Sequence, residues 1–295
     1  MNKSRILIGT TIGLFVLMAL IVDIRMTHIL KPEEDSEQRK TVLCVKINDK
    51  ANGTMVVNEM DFDDCGKDLI SYNADKQTFL YINQKRHIIE RDINEEITYN
   101  AVMFQYSNMY NLQYTPEESK ISFVFDHDLY HFDCIKGQSH KLIEGCVGSK
   151  RRNTYWLQSE EEIYFIDYDE KQQQRNLYFQ DGQQKRRIVK KGIESFCASS
   201  DGTRLYCIQS YTVPTILGVN TKYRIIEIDL LNDRNRILQE ISSENFVLKD
   251  VDNKYLLYVE ESNEKGRTKV FQLDLESCKT KCIYRTNKKV IGIVT

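Results

Sequence analysis

Short apolar stretches recur along the chain at a nearly constant distance. The four clearest copies, FLYIN, ISFVF, IYFID and LYCIQ, start at Phe79, Ile121, Ile163 and Leu205, so consecutive copies are 42 residues apart. A related stretch, LLYVE, starts at Leu256 after a longer step of 51 residues. The fourth position of each copy is Ile or Val, and the third is aromatic in all but LYCIQ. Such residues favour β-strands, and a period of this length is typical of propeller repeats.

A second series of apolar runs ends in aspartate at a similar spacing. The runs LYHFD, LYFQD, IIEID and VFQLD end at Asp133, Asp181, Asp229 and Asp274, with steps of 48, 48 and 45 residues. An aspartate at the end of a strand stabilises a turn, because its carboxylate accepts hydrogen bonds from the backbone just ahead. A third short apolar run follows each turn. Each repeat therefore predicts four short antiparallel strands, the composition of a propeller blade.

The two ends of the repeat region complement each other. Residues 290–295 (VIGIVT) match the first strand of a further blade, and VLCVK from Val42 and GTMVVNEM match its second and third strands. A ring must join its first and last blades, and a blade shared between the termini leaves no open edge there. The pattern thus predicts an all-β fold over residues 41–295, with six four-stranded blades.

The stretches SSDGTRLYCIQS, TPEESKISFVF and YRIIEIDLLNDRNRIL combine strands with turns and a closing aspartate. In this combination the chain resembles the TolB-type, WD-like six-bladed β-propellers over residues 41–295. Some turns depart from that pattern, such as KDVDNKYLL and QSEEEIYF. The resemblance implies the fold and says little about function, because propellers include binding proteins and enzymes alike.

The N-terminal segment predicts a membrane anchor. MNKSR is followed by seventeen uncharged residues before Asp23, close to the length of a membrane span. The prediction is a cytoplasmic tail at 1–5, a transmembrane helix at 6–24, a stalk at 25–40 and a propeller outside the cell membrane. A cleaved signal peptide is the alternative. Three prolines and many Lys, Ile, Asn, Glu and Tyr residues favour a bacterial source.

All eight cysteines lie in the part predicted to be outside, where at least two disulfides are expected. Two expected pairs flank tight turns symmetrically, a third flanks a hairpin less symmetrically, and the fourth follows by elimination. In that order they are Cys197–Cys207, Cys278–Cys282, Cys134–Cys146 and Cys44–Cys65. Reduced core cysteines are the alternative, since connectivity does not follow from sequence alone.

The sequence contains little that indicates catalysis or a metal. His127 and His131 in DHDLYHFDC could suggest a metal site, but four residues of strand place them about 13 Å apart. The acidic stretch at 58–68 resembles the opening of a calcium loop, yet Cys65 occupies a ligand position. We therefore interpret both as solvated turns and expect no catalytic residue, cofactor or metal. A net charge of −2 gives no basis for nucleic-acid binding.

The longer step after Leu205 comes from an insertion, SYTVPTILGVNTKYR, between the second and third strands of one blade. Its apolar side chains are predicted to lie in a loop and to contact a partner. The predicted binding residues are Tyr211, Pro214, Ile216 and Leu217. The alternative is that the loop caps its blade. The family resemblance implies that such loops lie on a face commonly used for binding.

Together these patterns predict a membrane-anchored, extracytoplasmic binding or scaffold module without catalytic activity, whose partner is an envelope protein or a cell-surface ligand. The alternative is a propeller enzyme, a hydrolase or lyase acting on glycans. That alternative requires ionisable side chains on the inner strands, which read LISYN, YNLQYT, NTYWLQ, SFCAS, NFVLKD and VIGIVT. A sensor ectodomain is a third interpretation, although five cytoplasmic residues would leave no room for an output domain.

Overall fold

The structure of the protein is a computed structural model. It describes residues 41–48, 55–61, 71–73, 78–83, 88–91, 96–99, 109–116, 120–145, 154–157, 162–183, 185–216, 218–242, 245–261 and 268–294. Contacts divide the chain into Met1–Arg39 and Lys40–Thr295, and the described residues all belong to the second unit. None of them forms a helix long and apolar enough to span a bilayer. The tail, helix and stalk predicted within residues 1–40 lie outside the described residues.

The described elements are β-strands. In chain order they are β1 (Thr41–Asn48), β2 (Met55–Asp61), β3 (Ser71–Asn73), β4 (Thr78–Ile82), β5 (Ile88–Arg91), β6 (Glu96–Tyr99), β7 (Met109–Tyr114), β8 (Lys120–Phe125), β9 (Asp128–Asp133), β10 (Gln138–Ile143), β11 (Thr154–Trp156), β12 (Ile163–Asp169), β13 (Gln174–Gln180), β14 (Arg186–Lys191), β15 (Ile193–Ala198), β16 (Arg204–Thr215), β17 (Gly218–Asp229), β18 (Arg234–Ile241), β19 (Phe246–Val251), β20 (Tyr255–Glu261), β21 (Thr268–Asp274), β22 (Thr280–Thr286) and β23 (Lys289–Val294).

Each repeat of the sequence pattern forms one four-stranded antiparallel sheet. We name these sheets I (β3–β6), II (β7–β10), III (β11–β14), IV (β15–β18) and V (β19–β22). The recurring apolar stretch lies in the second strand of its sheet, as predicted. Its third residue is almost completely buried in every copy, whether aromatic or cysteine: Tyr81, Phe123, Phe165, Cys207 and Tyr258.

Consecutive sheets pack face to face in the order of the chain. Successive residues of a strand point to opposite faces, so Phe123 packs toward Leu80 of sheet I while Val124 packs toward Phe165 of sheet III. Similar clusters join the later sheets, with Ile166 and Phe196 in one and Ile225 and Leu256 in the next. This serial packing of antiparallel sheets is how propeller blades build their core.

The two ends of the repeat region share a mixed sheet, with strand order β2-β1-β23. β1 is antiparallel to β2 but parallel to β23, with Val42 opposite Val290. The predicted blade would have been antiparallel throughout. The directions of the outer strands explain the difference. In chain order β2 precedes the first strand of sheet I, so it takes the direction of the last strand of a blade, whereas β23 takes the direction of a first strand. β2 and β23 therefore run in opposite directions, and the single strand β1 between them must be parallel to one of the two.

The aspartates at the ends of the third strands stabilise the following turns, as predicted. The Asp133 carboxylate accepts hydrogen bonds from the backbone N–H groups of Ile135 and Lys136 at 3.0 and 2.9 Å. Asp229 and Asp274 accept the same pair of bonds from the residues two and three positions ahead. The N–H of Lys136 is the largest cause that lowers the pKa of Asp133.

The predicted Cys197–Cys207 disulfide is wrong. The β15–β16 register places Cys197 opposite Tyr206 and Cys207 opposite Phe196. This offset of one residue puts the two cysteines on opposite faces of sheet IV, where they join different core clusters. Cys207 is a free thiol, and burial raises its pKa well above the ordinary value.

The predicted Cys278–Cys282 disulfide is also wrong. Cys278 lies in the turn after β21, whereas Cys282 lies on β22 opposite Phe271, and both are free thiols. The two remaining pairs each include a residue outside the described ones, Cys65 or Cys146, and stay predictions.

Gly192, between β14 and β15, provides a test of the junction between sheets III and IV. Its φ is +70°, and a Cβ atom there would lie 2.4 Å from the carbonyl oxygen of Ser210. We expect Gly192→Ala to lower the free energy of unfolding by about 3 kcal/mol, through both backbone strain and this collision. Gly137→Ala is the control, because Gly137 has a φ of +66° but open space around it, and should lose about 1 kcal/mol. Equal losses in urea unfolding would contradict the close approach.

A second prediction concerns β23. Val290 and Ile293 are buried against Leu257 and Val259 of sheet V. Deleting residues 290–295 removes both side chains, at a cost of about 3–6 kcal/mol, and also removes the pairing with β1. We expect cooperative thermal unfolding to be lost, whereas Ile293→Val should cost only about 1 kcal/mol. A deletion variant that melts like the parent protein would show that β23 does not hold the two ends together.

Candidate functional site

The insertion after the LYCIQ stretch forms a β-ribbon rather than the predicted loop. β16 and β17 stay in register from Arg204–Asp229 to Thr215–Gly218, so only two residues of the chain separate the paired strands. The pairing of β16 with β15 stops at Gln209, and that of β17 with β18 stops at Tyr223. The β-branched Thr and Val residues of the insertion favour strands. Residues 211–222, here called the ribbon, therefore continue sheet IV as two strands.

The Tyr211 side chain stabilises the base of the ribbon through contacts with Arg224 and Glu240. The Arg224 guanidinium carbon lies 4.7 Å from the centre of the Tyr211 ring, and the Tyr211 hydroxyl donates a 2.7 Å hydrogen bond to Glu240. Arg224 Nε in turn donates to Gln209 Oε1 at 3.0 Å. The bond to Glu240 is the largest cause that raises the pKa of Tyr211. The structure thus places this predicted contact residue in the support of the ribbon.

A second polar network ties the base of the ribbon to sheet III. The Ser210 hydroxyl donates to Glu194 Oε1 at 2.9 Å, and Glu194 Oε2 lies 2.6 Å from Arg175 Nη1 on β13. Three buried polar atoms in this region have no hydrogen-bond partner in the described part of the chain: Arg175 Nε, Asn176 Nδ2 and Ser195 Oγ. The ion pair and the Tyr211 contacts hold the ribbon in a defined direction.

The end of the ribbon exposes apolar side chains. Ile216 is fully exposed and Val219 is 70% exposed. Pro214 is also exposed, and it lies directly opposite Val219, so the two share a face. Leu217, another predicted contact residue, lies outside the described residues. We call Pro214, Ile216 and Val219 the apolar tip. Val219 is an apolar residue of the insertion that was not among the predicted binding residues, and its position opposite Pro214 follows from the register of the two strands.

The two edges of the ribbon differ. The Ser210 N–H points away from β17, because it donates to the Gly192 carbonyl at 2.7 Å. Backbone groups alternate along a strand, so the backbone nitrogen of Pro214 also points outward, and it carries no hydrogen to donate. On the other edge, Val219 and Thr221 point their backbone groups away from β16, and no described strand pairs with them. One edge is therefore closed to strand pairing and the other is open.

Charged residues are few on the first strands of sheets II–V. The charged residues on β7, β11, β15 and β19 are Glu194, Lys249 and Asp250, and Glu194 is paired with Arg175. No cluster of three His, Cys, Asp or Glu side chains suited to a metal occurs among the described residues. The acidic stretch at 62–68 lies outside them.

Comparison with known structures supports the assignment of the fold. No protein-family model and no curated protein matches the chain. A chain in the crystal structure of a nidogen/laminin complex aligns with a TM-score of 0.55 and 11% identity, over 78% of this chain and 85% of that one. A putative TolB from Agrobacterium tumefaciens aligns with a TM-score of 0.53 and 10% identity, over 79% and 84%. The tricorn protease aligns at 0.52 and 8%, over 86% of this chain and 32% of its own. These likenesses support the predicted β-propeller fold, and at such identities they show the fold alone.

The support of the ribbon can be tested by hydrogen exchange. Tyr211→Ala removes the ring beneath Arg224 and the hydrogen bond to Glu240, so amide exchange in residues 212–222 should accelerate. Thr212→Ala is the control, because Thr212 is exposed on the opposite face of the ribbon. The melting temperature should change little in both variants. Unchanged exchange in Tyr211→Ala would contradict its role in holding the ribbon.

Proposed function

We propose that the chain is a membrane-anchored, extracytoplasmic six-bladed β-propeller that acts as a non-catalytic binding or scaffold module at the cell envelope. The observation that carries this proposal is the apolar tip, where Ile216 and Val219 are exposed on a ribbon fastened at its base. Apolar side chains grouped at a projecting position favour contact with another molecule. The partner is an envelope protein or a cell-surface ligand.

Because contacts at its base hold the ribbon in place, the ribbon loses less conformational entropy when a partner binds. Covering Ile216 and Val219 would contribute about 3–6 kcal/mol, which is no more than the usual cost of bringing two molecules together. The tip alone therefore cannot give tight binding. The open backbone groups of Val219 and Thr221 lie directly beside it and supply additional hydrogen bonds to a partner strand. The proposed contact thus comprises the tip and the β17 edge of the ribbon.

The other parts of the proposal have separate support. The proposed count of six blades is supported by sheets I–V together with the mixed sheet of β1, β2 and β23, in which the two ends of the region pair. The membrane anchor rests on the uncharged run within residues 6–24. The nidogen/laminin structure, by its description a complex, supports a binding role for this fold without extending that partner to this chain.

The proposed contact can be tested in membranes that contain the full-length chain. A photoreactive residue at position 219 should give a discrete crosslinked product, and Ile216→Asp should abolish it without changing the melting temperature, because the side chain is exposed. Asn220→Asp is the matched control: it adds the same charge to an exposed residue on the other face of the ribbon.

Three results would contradict the proposed contact. One is the absence of any crosslinked product from position 219. Another is equal crosslinking in Ile216→Asp and the parent protein. The third is a large fall in melting temperature in Ile216→Asp, which would mean that the tip stabilises the propeller instead of binding a partner.

A further inference from the structure

Two histidines lie side by side on sheet II. His131 of β9 and His140 of β10 are direct partners in the antiparallel register. Their ring centroids are 5.5 Å apart and their planes meet at 83°. We propose that His131 and His140 form an open binding site for one divalent transition-metal ion, Zn²⁺ or Cu²⁺.

The separation of the rings suits one shared ion. A zinc–nitrogen bond is about 2.0–2.1 Å long, which places the ion roughly 3.2 Å from the centroid of each ring. At a tetrahedral angle the two centroids are then about 5 Å apart. The observed 5.5 Å is close to this distance, and His140 is exposed, so its ring can rotate to complete the geometry. His127 and His131, the pair considered from the sequence, occupy a turn and a strand on the same chain segment, whereas the hairpin brings His140 directly opposite His131.

The surroundings leave the remaining coordination positions open. Asp133 is two residues from His131 on the same strand, but its carboxylate already accepts the N–H groups of Ile135 and Lys136 and lies 3.5 Å from Lys136 Nζ. No third His, Cys, Asp or Glu joins the two histidines within the described residues. Water or a group from outside the described residues would therefore complete the coordination.

The chemistry of the two ligands selects the metal. Imidazole nitrogen suits zinc, copper and nickel, whereas magnesium and calcium prefer oxygen ligands. Two imidazoles held opposite each other chelate an ion more strongly than one, because the second bond forms at a high effective concentration. This site lies on sheet II, apart from the ribbon of sheet IV, and it does not depend on the proposed partner contact.

The test is calorimetric titration of the purified full-length chain with Zn²⁺, with Mg²⁺ as the negative control. The parent protein should bind one Zn²⁺ ion at this site, and His140→Ala should weaken that binding at least about tenfold. His127→Ala is the matched control, because His127 is an exposed histidine in the neighbouring turn, and it should bind like the parent. With Cu²⁺, electron paramagnetic resonance should report two nitrogen ligands in the parent and one in His140→Ala.

Free thiols require a second control. Cys278 and Cys282 are free and partly exposed, and thiolates also bind zinc. A variant with serine at both positions should keep the ion that His140→Ala loses. Zinc binding that is unaffected by His140→Ala, or that disappears in the serine variant alone, would overturn the proposal. Equal melting temperatures of metal-free His140→Ala and parent protein would exclude misfolding as the cause of any loss.

Discussion

The structure depends on the burial of both faces of the second strand in each four-stranded sheet. Phe123 and Val124 are neighbours in sequence, yet one packs toward sheet I and the other toward sheet III, and both are fully buried. A strand in this position cannot alternate apolar and polar residues, because neither face meets water. Continuous apolar stretches at a constant spacing are the result. The same requirement extends to the chain ends, where Val290 packs against Leu257 of sheet V.

Strand direction places a second constraint on the fold. In an antiparallel sheet of four strands, the first and last strands run in opposite directions. The connection from the last strand of one sheet to the first strand of the next can therefore be the same each time. In the described mixed sheet β2 and β23 run in opposite directions with only β1 between them, so β1 is parallel to one of the two, and Val42 pairs in parallel with Val290. Residue patterns reveal that β23 and β1 are strands, but they do not state the direction of pairing.

Prediction from the sequence succeeded for local features and failed where register depended on the length of a turn. The recurring strands and the Asp133 turn were predicted because burial and backbone capping leave a signature in nearby residues. The Cys197–Cys207 pair assumed symmetry about Gly202, yet four residues separate the bonded pair Ser199 and Arg204, which shifts the register by one. A turn of the same length follows Asp133 and brings His131 opposite His140. Knowing that turn length would have revealed both the error and the histidine pair.

The ribbon differs from the other sheet edges in how it avoids unwanted strand pairing. β14, the outer edge of sheet III, carries four cationic side chains, which discourage association with other strands: Arg186, Arg187, Lys190 and Lys191. On the ribbon, Pro214 closes the β16 edge by the absence of an N–H group. The β17 edge has no proline and carries one charged residue within the ribbon, the exposed Lys222, and it lies beside the apolar tip. This edge is therefore less protected than β14, and it belongs to a ribbon whose base Tyr211 and Arg224 hold in place. An open edge on a fixed support favours selective pairing over aggregation, because only a strand that also covers the tip gains both the hydrogen bonds and the apolar contact.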